Sequence, residues 1–302
     1  MESISTLINW LIEGSSTLIN GLSAGSTYAM IALGYTMVYG IAKMLNFAHG
    51  DVIMVGGYML FVAITGNVPV PIAILSAIIV CTLLGITVEK VAYKPLRGAS
   101  PLAVLITAIG VSYLLQSIAQ IIFGSDTKML KQLMISESLT IGALTLPYNT
   151  IITLVCAGII MAALTLFVKY TKTGRAMVAV SEDRDAARLM GVNVNLVIMI
   201  TFAIGSALAA VAGVFMVMKS PSVSNVMGAM PGIKAFTAAV IGGIGSIPGA
   251  MIGGILLGVV EAICNRITVI APYTDAIEFS ILIIILLVKP SGILGKKRRE
   301  KV

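Results

Sequence analysis

From residue 52 to residue 88 the chain runs thirty-seven positions without a charged side chain. A helix needs about 20 apolar residues to cross the hydrocarbon core, so this stretch is too long for one span and suits two. Gly66-Asn67-Val68-Pro69-Val70-Pro71 supplies the turn between them. Similar runs recur at 17–42, 101–123, 148–168, 196–218, 235–260 and 278–288. Over the whole chain of 302 residues, 58% are hydrophobic and 11% charged. No soluble domain of this length could shield so much apolar surface from water. The chain therefore reads as an all-α, polytopic helical membrane protein, a single transmembrane domain over residues 1–302. About eight or nine spans are expected, some of them broken or short.

A net charge of +7 would point to nucleic acid in a soluble chain. Here the basic residues gather at the ends of apolar runs: Lys43, then Lys90, Lys94 and Arg97, then residues 169–195, then the tail 289–302 with KKRREK. Lys and Arg near span ends resist translocation, so these segments are expected on the cytoplasmic side and no nucleic-acid partner is implied. The acidic start, with Glu2 and Glu13, is expected outside. That acidic character also argues against a signal peptide at residues 1–16. Leu7, Ile8, Leu11 and Ile12 stand at helical spacing beside Trp10, which predicts an external interfacial helix. Residues 124–147 are expected as an external loop, although Lys128 and Lys131 run against the charge rule. Cys81, Cys156 and Cys264 lie in or beside apolar runs without metal-like spacing and read as small core residues.

Residues 169–195, KYTKTGRAMVAVSEDRDAARLMGVNVN, separate two apolar runs and set Lys169, Lys172, Arg175, Arg184 and Arg188 against Glu182, Asp183 and Asp185. Ser181 is expected to cap a short helix whose first turn carries the three acids, where the helix dipole favours anions. Gly191 is expected as its left-handed stop. Ala186, Ala187, Leu189 and Met190 would then form one compact apolar patch. A helix this short is marginal alone in water, so it needs a surface, either its own membrane domain or another protein. A solvated loop that only orients two spans remains open on pattern alone.

Three features point into the membrane. Asn46 to Asp51, NFAHGD, interrupts an apolar stretch with the chain's single histidine, His49, and is followed by Gly50, Gly56 and Gly57. Polar groups beside glycines mark either a broken helix lining a cavity or, more simply, a cap or ion pair where a span meets the cytoplasm. Tyr113, Gln116, Ser117 and Gln120 form one stripe that is expected to face other helices or a wet path rather than lipid. In AFTAAVIGGIGSIPGAMIGGILLGVV, Gly245, Gly249 and Gly253 share one four-residue ridge and Gly254 and Gly258 another, while Gly242, Gly243 and Pro248 cut the run. Two short helices meeting at 242–249 fit this better than one lipid-facing span. Gly205, Ala209 and Gly213 form a further ridge.

The sequence contains no phosphate loop of the G-x-x-x-x-G-K-[ST] type and no metal-spaced cluster. Energy must come from a partner or an ion gradient. Buried charge within the spans is expected to be nearly absent, which argues for a passive path driven in trans.

YGIAKMLNFAHGDVIMVGGY, TGRAMVAVSEDRDAARLMGVNV and PGIKAFTAAVIGGIGSIPGAMIGGILLGVVE resemble the LivH-type permeases of bacterial high-affinity branched-chain amino acid ABC transporters. The three motifs occur in the family's order, and the resemblance spans essentially the whole chain. It implies an inner-membrane subunit of type II-like importer architecture. Its implied partners are a homologous LivM-like permease chain, two cytoplasmic LivG/LivF-like ATPases that hold the ATP and Mg, and a periplasmic binding protein that delivers leucine, isoleucine or valine. No cofactor is implied on this chain itself.

The family's coupling helix falls on Ser181 to Gly191, with Glu182, Asp183, Arg184, Ala187, Arg188 and Leu189 between. The translocation path and its packing are expected to involve Asn46, His49, Gly50, Asp51, Tyr113, Gln116, Gln120, Gly242, Gly243, Gly245, Gly249 and Gly253. Three other readings stand beside this one. Related permeases for urea and short amides share the motifs. An ion-coupled carrier or channel would need coupling charges. A membrane enzyme would have only NFAHGD with Tyr39 to work with.

Overall fold

The computed structural model describes residues 2–130, 138–141 and 144–295. Nine longer helices make the membrane bundle among these residues: α1 (Glu2–Ala42), α2 (His49–Thr65), α3 (Val70–Val88), α4 (Pro101–Phe123), α5 (Tyr148–Tyr170), α8 (Val194–Lys219), α9 (Ala229–Gly242), α10 (Ile247–Arg266) and α11 (Thr274–Val288). A π turn and a 3-10 turn carry α3 on to Leu96. Six helices are long and apolar enough to cross a membrane, while α2 and α9 are apolar but shorter. That agrees with the expected span number. Two short helices, α6 (Lys172–Glu182) and α7 (Arg184–Leu189), lie outside the bundle between α5 and α8.

The centre belongs to α1. It packs along α10, α8, α9 and α5, and from Ala29 to Leu33 its residues are fully buried. Small residues permit this. A Cβ added at Gly25 would fall 2.7 Å from the Cα of Ile255, and Gly254 and Gly258 on α10 meet the α1 backbone at Ala29 and Gly25. Without a hydrophobic drive between helices in lipid, such backbone approach supplies the van der Waals contact that holds them. The helix runs unbroken from Glu2, so residues 2–16 continue α1 and are not a separate helix. Trp10 lies outside the described side chains.

Two chain breaks set the interior. After α1 the chain is non-helical from Lys43 to Ala48, and Lys43 takes positive φ (53°). It climbs back beside α1, because α2 begins with His49 against Gly34, part-way along that helix. There Gly50 packs on the backbone of Gly228 and Gly232, at the start of α9. α9 has 14 residues, roughly 21 Å at 1.5 Å per residue, too short for a core about 30 Å thick. The glycine-cut run is therefore a half-length helix joined to a full one.

Opposite the α6–α7 end, the expected loop 124–147 carries strands. β1 (Lys128–Met129) pairs antiparallel with β4 (Ser222–Val223), and β2 (Ser138–Ile141) with β3 (Leu144–Pro147). Lys131 and residues 296–302 of the tail, which include all of KKRREK, lie outside the described residues. Cys81 and Cys264 are buried free thiols and Cys156 is half-buried.

Candidate docking segment and translocation path

The basic loop folds as two helices. Thr171 caps α6, its hydroxyl accepting from the Gly174 amide at 2.9 Å. α6 continues through Ser181, whose hydroxyl donates back to the Val178 carbonyl at 2.7 Å, and ends at Glu182. Ser181 is thus not the cap of the following helix, and Glu182 is not in its first turn. Asp183 takes the capping role, with extended backbone and Oδ1 accepting from the Asp185 and Ala186 amides at 2.9 Å each. A carboxylate serves better than a hydroxyl here because its charge also meets the positive end of the helix.

Gly191 is the left-handed stop, at φ +82°. Its amide donates to the Arg188 carbonyl and the Val192 amide to the Ala187 carbonyl, both at 3.0 Å, the paired bonds of a Schellman ending.

The expected apolar patch is divided. Ala187 is 4% exposed and packs inward, whereas Leu189 is 89% and Met190 83% exposed. Ala187 and Leu189 stand two positions apart on a helix, which points them to different sides. Arg188 lies on the exposed side with Asp185 3.6 Å away. Inward, Arg184 donates to the carbonyls of Ala42 and, at 3.5 Å, Ile41. These are unsatisfied terminal carbonyls of α1, where the helix dipole favours a cation. Burial and the nearby Arg97 lower the basicity of Arg184, with Asp185 opposing them. Arg97 in turn bridges Glu89 and Asn195. The α6–α7 segment is therefore anchored to the end of the central helix through Arg184.

Inside the bundle, Asn46 accepts from the Tyr93 hydroxyl at 2.9 Å. His49 is buried with its ring edge-on to Tyr35, centroids 4.7 Å apart, and its Nε2 lacks a hydrogen-bond partner among the described residues. Asp51 is buried and accepts from the Gln116 amide at 2.8 Å. The NFAHGD segment is thus an interior break and not a cap or ion pair at the span end; α2 has no side-chain cap. Gln116 alone of its stripe turns inward. Tyr113 is 66% exposed, and Ser117 and Gln120 are also on the outer surface, because α4 meets the bundle mainly through α2 and the α3 extension.

The glycine ridges separate onto two faces. Gly249 and Gly253 pack on Gly242 and Ala238 of α9, while Gly254 and Gly258 face α1. Gly243 (φ +107°) and Gly245 (φ +94°) form the turn between the helices, so Gly245 is not a ridge member.

The reading of nearly charge-free spans is corrected by one cluster. Lys234 of α9 lies 2.9 Å from Glu261 of α10, and 2.8 and 3.2 Å from Asp275 and Glu278 of α11. Lys234 and Glu278 are buried, as are Asp51 and Glu89. Single charges separated by many residues carry no local pattern. The available signal was that Glu261 and Glu278 sit at the edges of apolar runs.

Among the described residues, six helices of spanning length, two shorter apolar helices starting inside the bundle and an exposed helix anchored at one end define a polytopic membrane transport domain. Residues 17–286 match the family described as branched-chain amino acid transport system / permease component, and the chain belongs to that family. It is 46% identical, over 99% of this chain and 98% of the relative, to the high-affinity branched-chain amino acid transport system permease protein BraD of Pseudomonas aeruginosa. It is 44% identical to the corresponding LivH of Escherichia coli K12, over 91% of this chain and 94% of that one. The solved PsaBC of Streptococcus pneumoniae, in complex with Fab, aligns at TM-score 0.44 and 16% identity over 91% of this chain and 90% of that one.

Proposed function

We propose that this chain is the permease subunit of an ABC importer and forms, with a homologous LivM-like chain, the membrane path for leucine, isoleucine and valine. A periplasmic binding protein delivers the substrate, and two LivG/LivF-like ATPases supply ATP hydrolysis. The chain itself is a permease and not an enzyme. The observation that carries this reading is α7, which presents Leu189 and Met190 outward while Arg184 holds it to α1. Exposed apolar side chains on a short, rigidly capped helix suit a groove in a partner. The near full-length similarity to branched-chain amino acid permeases supports the substrate class.

The end bearing Arg97, Arg175, Arg184 and Arg188 is cytoplasmic by the charge rule, which puts the amino terminus and the strands outside and the tail inside. The outward face of α4, with Tyr113 and Gln120, is the surface offered to the second permease chain.

The test is purification in detergent followed by reconstitution with the binding protein. ATPase subunits should co-purify, and leucine uptake should require ATP on the side of α7. Uptake driven by an ion gradient without ATPase subunits would overturn the proposal, and uptake of urea or acetamide in preference to leucine would overturn the substrate.

A further inference from the structure

At the end of the bundle away from α7, a cavity of about 630 Å³ lies between α1, the end of α8 and the end of α10. That is within the range of small-molecule sites. Phe215 and Met216 give it an apolar wall, Lys219 and Arg266 contribute cations, and Glu261 lines it together with Tyr28.

Glu261 belongs to the cluster in which Lys234 faces three carboxylates. Its members are not equivalent. Glu278 is sealed at 0% exposure, and neither of its oxygens has a hydrogen-bond partner among the described residues; its 3.2 Å approach to Lys234 is ionic only. Asp275 is half-exposed and contacts Lys234 at 2.8 Å. Glu261 accepts from Lys234 at 2.9 Å and is also the member of the cluster that lines the cavity.

Glu261 has acceptor capacity beyond its bond to Lys234, and with Lys219 and Arg266 it gives the cavity both signs of charge. We propose that this cavity receives a free α-amino acid on the delivery side of the membrane, with Glu261 accepting its ammonium group, Lys219 and Arg266 attracting its carboxylate, and Phe215 and Met216 meeting a short apolar side chain. The inference rests on the functional reading above and adds the site and the group that selects a zwitterion.

Cysteines at Asn20 and at Ala262, both lining the cavity, report on it in the assembled importer when an impermeant thiol reagent is added from outside. Labelling of the parent chain is subtracted. Leucine should slow modification at both positions. Leucinol, which keeps the ammonium and lacks the carboxylate, should retain part of the effect, and 4-methylpentanoate, which lacks the ammonium, should have none. Glu261→Gln leaves Lys234 its other two carboxylates, and should raise the leucine needed for half-protection about tenfold or more, as expected for loss of a charge-assisted hydrogen bond.

Full-rate labelling in the presence of leucine, or equal protection by 4-methylpentanoate, overturns the site, and the ligand series decides even where Glu261→Gln assembles poorly. An importer that takes up no leucine overturns the functional reading instead; one that takes up leucine with both cysteines unprotected overturns this inference alone.

Discussion

The two ends of the bundle solve the problem of buried charge in opposite ways. At the α7 end, Arg97 pairs with the buried Glu89 and donates to the amide oxygen of Asn195, while Arg184 is met by neutral oxygens, the carbonyls of Ala42 and Ile41. A helix carboxyl end already carries partial negative charge, so a second counter-ion is unnecessary there. At the far end one Lys234 meets Glu261, Asp275 and Glu278, and Lys219 and Arg266 line the cavity beside Glu261. The first arrangement joins α7 to the end of the central helix. The second sets both signs of charge beside a cavity.

Breaking the far cluster should have the largest effect on stability. Lys234→Met removes the common partner of three carboxylates, and loss of one partner from a buried ion pair costs about 3–5 kcal/mol. The detergent-solubilised chain should melt well below the parent; an unchanged melting curve would mean that the carboxylates are protonated and never needed the lysine. Arg184→Met should cost less, about 1–3 kcal/mol, because it orphans carbonyls and not charges. Its melting shift should be accompanied by loss of substrate-stimulated ATP hydrolysis, since α7 would no longer move with α1. Retained stimulation would break the mechanical reading of that end.

Asp275→Asn touches a half-exposed member and should change stability by under about 1 kcal/mol, a shift at the limit of a denaturation assay. Leu189→Asp should not alter melting at all, because the side chain touches solvent in the isolated chain. It should nevertheless reduce ATPase association and leucine uptake by roughly tenfold or more, since an uncompensated carboxylate in an apolar groove costs over about 1.4 kcal/mol. Normal uptake would remove α7 from the docking surface. Ala187→Asp is a different experiment: it strikes the inward face and should damage the chain's own packing.

Much of the local chemistry was legible. Gly191 could be assigned as a left-handed stop because few residues other than glycine adopt positive φ there at no cost. The two glycine ridges on α10 follow from spacing alone, since residues four apart share a helix face. The cap was misplaced by two residues, from Asp183 to Ser181, because both are good capping residues and only the packing of α6 on α5 and α8 decides which of them is still helical. The His49 segment was legible as a break but not as an interior one. Its depth depends on α2 starting beside Gly34 and on Gly50 meeting Gly228, contacts between residues far apart in the chain.

What the sequence determined by itself was the solvent and the punctuation: long apolar runs demand lipid or burial, basic residues mark span ends, and glycine, proline and capping residues mark breaks. Those properties reside in short stretches, so short stretches suffice to read them. The tertiary structure alone decided which helix is central and which charges meet. α1 is less apolar than the six candidate spans among the described residues, yet from Ala29 to Leu33 it is fully enclosed, because a helix surrounded by other helices needs small residues for close approach and not lipid solubility. The Lys234 cluster draws on three helices whose charged residues are isolated in sequence. Their pairing energy depends on distance and burial, and neither exists until the bundle closes.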